Sequence, residues 1–194
     1  HIGNNLISYP FLSSQGLAEG LGSAAEYVYA LASEGVAALW SVDAQAWVGS
    51  LQAFEGGNGY WLVATADFSF SFNGTADGLT RAKTSAKVKD MLDSQKFASR
   101  MSEDPVYRAV QSENQAFFFV NNATIRGEAL ESEDVIIAYN GDVIVGSRYW
   151  NGEFTDIPAM GIDTDGGEMF AGYCEAGDNI SFMVLDASTG ELVE

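Results

Sequence analysis

The chain has 194 residues and a formal net charge of −18, from 9 Lys+Arg against 27 Asp+Glu; 47% of its residues are hydrophobic and 12% aromatic. That apolar content supports packed cores and excludes disorder of the whole chain, and no apolar run reaches the roughly 18 residues of a membrane-spanning helix. The acidic balance argues against nucleic acid or an anionic membrane surface as partner, since both need a dense Lys/Arg face. One cysteine, Cys174, and one histidine, His1, remove most metal and nucleophile chemistry.

Charge divides the chain into three. Residues 1–75 hold six acids and no Lys or Arg, residues 76–114 hold seven bases and six acids, and residues 115–194 hold fifteen acids against Arg126 and Arg148. The sequence therefore predicts a small α+β module over 1–75, a basic connector over 76–114, and a β-rich module over 115–194. A basic segment between acidic blocks reads either as a docking strap or as a solvated helix face.

In chain order, Asn5 to Phe11 reads as a short strand stopped by Pro10. Leu17 to Trp40 combines many alanines with Leu21, Tyr27, Val28, Leu31, Val36 and Leu39, which predicts one helix, or two broken near Gly35. Trp47–Phe54 and Tyr60–Thr65 read as strands joined through the glycine-rich loop 55–59. Phe68, Phe70 and Phe72 alternate with Asp67, Ser69 and Ser71, so three rings share one face. Thr80 to Met101 predicts a helix ended by Pro105. Ala116 to Val120 is a continuous apolar run that suits a strand buried on both faces. Asp134–Tyr139 and Val143–Gly146 flank Asn140-Gly141, a strong hairpin signal. Met169–Tyr173, Ile180–Leu185 and the terminal Glu191–Glu194 complete a set of short strands that predicts an antiparallel β-sandwich. The fold class expected is mainly β with some α.

Two stretches carry a resemblance. Asn5-Leu6-Ile7-Ser8-Tyr9-Pro10 followed by Gly59-Tyr60-Trp61 resembles modules found near the C-termini of large secreted bacterial proteins. Glu133 to Gly146, with Gly177-Asp178-Asn179-Ile180-Ser181-Phe182 and Asp186-Ala187-Ser188-Thr189-Gly190, is similar to extracellular β-sandwich modules. The resemblance implies an extracellular or cell-surface setting and a binding, spacing or anchoring role. It brings no catalytic residues.

Among single sites, Asp163-Thr164-Asp165-Gly166-Gly167-Glu168 presents alternating hard oxygens on a glycine-bearing loop. Asp163, Asp165 and Glu168, with Asp156 completing the shell, are candidate calcium ligands; the other reading is a solvated acidic turn. Tyr149, Trp150 and Trp61 are candidates for stacking on a glycan, against core packing. Cys174 lacks a neighbouring base and reads as core. Asn73, Asn122 and Asn179 head glycosylation-type sequons. Lys83, Lys87 and Lys89 on the connector, and Phe117 and Phe119 on the apolar strand, are candidates for subunit contacts. The function expected is that of a non-enzymatic extracellular structural protein that forms homo-oligomers or polymers. The alternative is a module that binds carbohydrate or another surface ligand, with calcium at the site.

Overall fold

The computed structural model describes residues 1–74, 85–163 and 165–194. The protein is mainly β with some α, and the chain divides into two compact units, His1–Phe97 and Ala98–Glu194. Among the described residues no helix is long and apolar enough to cross a membrane.

The first unit contains β1 (Gly3–Ser8), β2 (Gln15–Gly16), α1 (Leu17–Leu21), β3 (Val28–Ser33), β4 (Val36–Ser41), β5 (Ala46–Val48), β6 (Ala53–Phe54) and β7 (Gly59–Ala64), and is closed by α2 (Ala86–Ala98). Five strands form an antiparallel sheet in the order β1-β7-β3-β4-β5, and β2 pairs with β6. One face of the sheet packs on Tyr9, Leu17, Leu21, Leu51 and Phe54, with Leu31, Tyr60 and Leu62 pointing into that core from the strands. Tyr9 stacks on Phe54 at 5.4 Å, and Tyr60 meets Phe54 edge-on at 5.0 Å. Buried hydroxyls need partners: Tyr60 Oη accepts the Glu55 N–H at 2.7 Å, and Tyr9 Oη donates to Gln15 Oε1 at 3.2 Å. Helix α2 is fastened by the buried Gln95, whose Oε1 accepts from Gln52 N and whose Nε2 donates to Glu55 Oε1.

This unit departs from the sequence expectation in three places, the first being that the strand read over Trp47–Phe54 is split into β5 and β6 by residues 49–52. The helix predicted over Leu17–Trp40 ends at Leu21 and a 3-10 turn over Gly22–Tyr27, after which β3 and β4 form a hairpin around Gly35, at φ +66°. Alanine's helix propensity is a few tenths of a kcal/mol per residue, and pairing on both sides of β3 outweighs it. The glycine-rich loop 55–59 does not close a hairpin either, because β6 pairs with β2 while β7 joins β1 and β3. The connector helix spans Ala86–Ala98; the earlier part of its predicted range, through residue 84, lies outside the described residues.

The second unit contains β8 (Gln115–Val120), β9 (Thr124–Ile125), β10 (Glu128–Ala129), β11 (Val135–Asn140), β12 (Val143–Tyr149), β13 (Thr155–Met160), β14 (Ile180–Leu185) and β15 (Leu192–Val193). One antiparallel sheet has the order β12-β11-β14-β15, another pairs β13 with β8, and β9 pairs with β10. Ile136, Ala138 and Val145 of the first sheet and Ile157, Ala159 and Met160 of β13 meet in one core. The close approach requires Gly146, where an added Cβ would collide with the Pro158 carbonyl. Asn140-Gly141 marks the β11–β12 hairpin as the sequence predicts. Two expectations change. Strand β8 is partly exposed on both faces rather than buried, because β13 alone flanks it. Met169–Tyr173 is not a strand: a 3-10 turn over Gly167–Phe170 runs into a turn, and Cys174 bridges back to Gly161.

Candidate functional site

The register of the five-stranded sheet fixes what its outer face carries. Directly opposed residues in antiparallel strands share a face. One row therefore runs Leu6–Trp61–Ala32–Ala37, and a second runs Asn4–Val63–Ala30–Leu39–Val48. The intervening rows, such as Asn5–Leu62–Leu31–Ala38, point into the core. Among the described residues these two rows hold no charged residue, one amide and eight apolar side chains, of which Ala37 is buried, and the same parity adds Ser8 opposite Gly59 and Ser41 opposite Ala46. Leu6 is 66% exposed and Trp61 46% exposed. The alanines of β3 and β4 make a low centre between Leu6 and Trp61 on one side and Leu39 and Val48 on the other. A flat, neutral, apolar surface of this kind can bury another apolar surface or stack on a sugar ring.

Two polar groupings in the second unit have a different character. Arg148 is fully buried (0% exposed) beside Asp156 at 1% exposed. Its Nε donates to the Asp156 carbonyl at 2.8 Å, Nη1 to the Ser99 carbonyl, and Nη2 lies 3.5 Å from Asp156 Oδ2. Burial lowers the guanidinium's pKa while the Asp156 charge opposes that shift. The carbonyls and the carboxylate together offset the desolvation of the cation.

A polar cleft of about 400 Å³ is lined by Arg126, Glu128, Glu131, Asp134, Asp186, Ser188 and Thr189. Its two buried carboxylates serve the backbone. Asp134 accepts from Glu131 N (2.8 Å) and Ala187 N (2.9 Å), and Asp186 Oδ1 accepts from the Ser188 N–H and hydroxyl and from Thr189 N. The Ser188 hydroxyl, followed by Thr189, holds Asp186 below the usual carboxylate range. Arg126 at the rim is paired with Glu191 at 2.5 Å.

Of the candidate calcium ligands, Asp163, Asp165 and Glu168 lie on one loop, where Asp163 Oδ1 accepts from Asp165 N at 3.0 Å. Asp156 sits apart on β13, inside the unit and beside Arg148. Among the described residues no group of three or more His, Cys, Asp and Glu is placed to hold a metal ion.

Of the aromatic candidates only Trp61 presents a free ring. Trp150, expected at an exposed turn, is 9% exposed in the second core, where its backbone N–H donates to the Asp134 carbonyl at 2.8 Å. The Arg100 guanidinium covers the Tyr149 ring at 4.6 Å. Lys87 and Lys89 project into solvent from α2, and Lys83 lies outside the described residues. Phe117 and Phe119 are half-buried on β8, while Phe118 on the opposite side packs edge-on against Phe182. Burial raises the pKa of the half-buried Cys174.

Sequence reasoning missed Leu6, Ala30, Ala32 and Leu39 as one surface. Leu6 and Ile7 are both apolar, which hides the strand's parity, and the alanines favour a helix by propensity. Comparison with protein-family models, with curated proteins and with solved structures finds no match.

Proposed function

We propose that the chain is a non-enzymatic structural module of an extracellular or cell-surface protein, and that it associates with further copies through the outer face of the first unit's sheet. The uncharged, apolar face exposing Leu6 and Trp61 carries this reading. Burying one large apolar side chain contributes about 1.5–3 kcal/mol, so two such anchors and their neighbours supply a weak but specific contact. The resemblance of the two modules to secreted bacterial modules supports the setting. The charge of −18 opposes association at low salt, and exposed charges further apart than about 8 Å are screened at physiological salt. Association therefore strengthens as ionic strength rises.

Light scattering over a concentration and salt series tests this. The expected result is a mass that grows with both, and that grows far less in the double variant Leu6→Glu, Trp61→Glu. A constant mass of one chain in the wild type would overturn the reading. The exposed Trp61 ring, on the same face as Asn4, also favours a second reading, stacking on a neutral glycan. It predicts a monomer that binds on a glycan array and loses binding in Trp61→Ala.

A further inference from the structure

Residues 66–72 belong to no helix and no sheet. The segment is held at its ends: Thr65 N donates to the Tyr27 carbonyl at 2.9 Å, Asn73 N to the Gly20 carbonyl at 3.0 Å, and the Asn73 amide to the Glu19 carbonyl at 2.8 Å. Between these anchors, no backbone N–H or C=O of residues 66–72 is hydrogen-bonded within the described chain. The side chains nevertheless alternate as in a strand. Phe68, Phe70 and Phe72 are half-buried, and Asp67, Ser69, Ser71 and Asn73 are exposed. Phe68 stacks on Tyr27 at 5.4 Å, and Phe72 lies 5.1 Å from both Tyr9 and Phe54. The rings thus seat a segment with strand-like alternation that has no ladder among the described residues, and a row of backbone donors and acceptors of this kind pairs with another chain.

The sequence says which chain. Phe68-Ser69-Phe70-Ser71-Phe72 reads the same in both directions. Antiparallel pairing with a second copy about Phe70 sets Phe68 opposite Phe72, Ser69 opposite Ser71, and Asp67 opposite Asn73. No like charges face each other in that register, whereas parallel in-register pairing would oppose Asp67 to itself. A slip by one residue would turn the second copy's rings to solvent. We infer that Asp67–Asn73 forms a two-fold strand pair with the same segment of a second copy. This rests on the self-association reading and adds a separate contact to the sheet face. Two different two-fold contacts on one chain join copies into an open polymer rather than a closed dimer.

The test is sedimentation velocity over a concentration series with charge pairs at the exposed serines, far-UV circular dichroism confirming that each variant is folded. Ser69→Asp with Ser71→Asp, and Ser69→Lys with Ser71→Lys, place like charges opposite each other twice per contact. Each is expected to limit assembly to dimers and to require roughly tenfold more protein for anything larger. Ser69→Asp with Ser71→Lys places opposite charges together in this register and is expected to restore assembly. In a Leu6→Glu, Trp61→Glu background the remaining dimer is expected to become monomer when Ser69→Asp and Ser71→Asp are added. If all the serine variants sediment like the wild type while Leu6→Glu, Trp61→Glu still reduces assembly, the strand pair is overturned and the sheet-face reading stands. A wild type that stays monomeric at every concentration overturns both.

Discussion

The two units treat their central strands differently. In the second, Val135, Ile136, Ile137 and Ala138 of β11 are all buried, so both faces of the sheet are covered. In the first, β7 alternates between buried Tyr60, Leu62 and Ala64 and exposed or half-exposed Trp61 and Val63. The polar content differs in the same direction. The second unit encloses the Arg148–Asp156 pair, while among the described residues the first core holds no buried charge and draws polar contacts from tyrosine hydroxyls and Gln95. A sheet covered on both sides has no apolar face left to offer, whereas one covered on a single side has. On the proposed reading, the first unit's sheet is the one that meets a partner.

The largest effect that would sharpen this contrast comes from the buried pair. Asp156→Ala leaves Arg148 enclosed without its carboxylate and is expected to cost about 3–5 kcal/mol in urea unfolding, while Arg148→Met with Asp156→Leu costs far less. Equal losses in the two variants would mean that packing, not the uncompensated charge, holds the site. Next, Tyr60→Phe removes the acceptor for the Glu55 N–H and is expected to cost about 1–3 kcal/mol, read by the same unfolding curve.

The units also differ in the pH range where each is weakened. Burial pushes the Tyr9 hydroxyl up to about 12, and Tyr60 is raised in the same sense. A group whose folded pKa is raised contributes in full below its unfolded value, near 10 for tyrosine, and loses that contribution as pH rises through the folded value. Tyr9→Phe should therefore flatten the loss of stability between about pH 10 and 12. Tyr139 in the second unit is shifted the same way and leaves a remainder. Asp186 is shifted down, so its contribution is present above about pH 4 and fades as pH falls through the lowered value. Ser188→Ala should be less stable than wild type at neutral pH, and the gap should close in acid. Thermal melts across pH check both, and a gap that persists at pH 2 would contradict the assignment to Asp186.

The smallest expected effect is itself informative. Leu6→Glu with Trp61→Glu should change stability by under about 1 kcal/mol, since both side chains are exposed, while reducing association. A large loss of stability would mean that the outer face supports the fold rather than a partner.

Much of this fold was legible in the sequence where side-chain parity or turn chemistry is explicit. Asn140-Gly141 announced the β11–β12 hairpin, and the Phe68–Ser69–Phe70–Ser71–Phe72 alternation announced three rings on one side. The β3–β4 hairpin was hidden because alanine-rich strands imitate helices until neighbouring strands claim their backbone. Trp150 looked exposed beside a turn, yet the turn carries it inward toward Asp134. The candidate face was only partly readable. Trp61 was identifiable as one residue, but the rows it joins depend on pairing β1, β7, β3 and β4, which lie far apart in the chain.

Hydroxyl-radical footprinting of Leu6 and Trp61, in dilute and in concentrated protein at physiological salt, tests the central claim most directly. Both side chains should be oxidised readily when dilute and protected in proportion to the associated fraction, while exposed Val106 and Met169 of the second unit keep their rates. Oxidation of Leu6 and Trp61 that does not change while the particle mass rises would place the contact elsewhere and contradict the account.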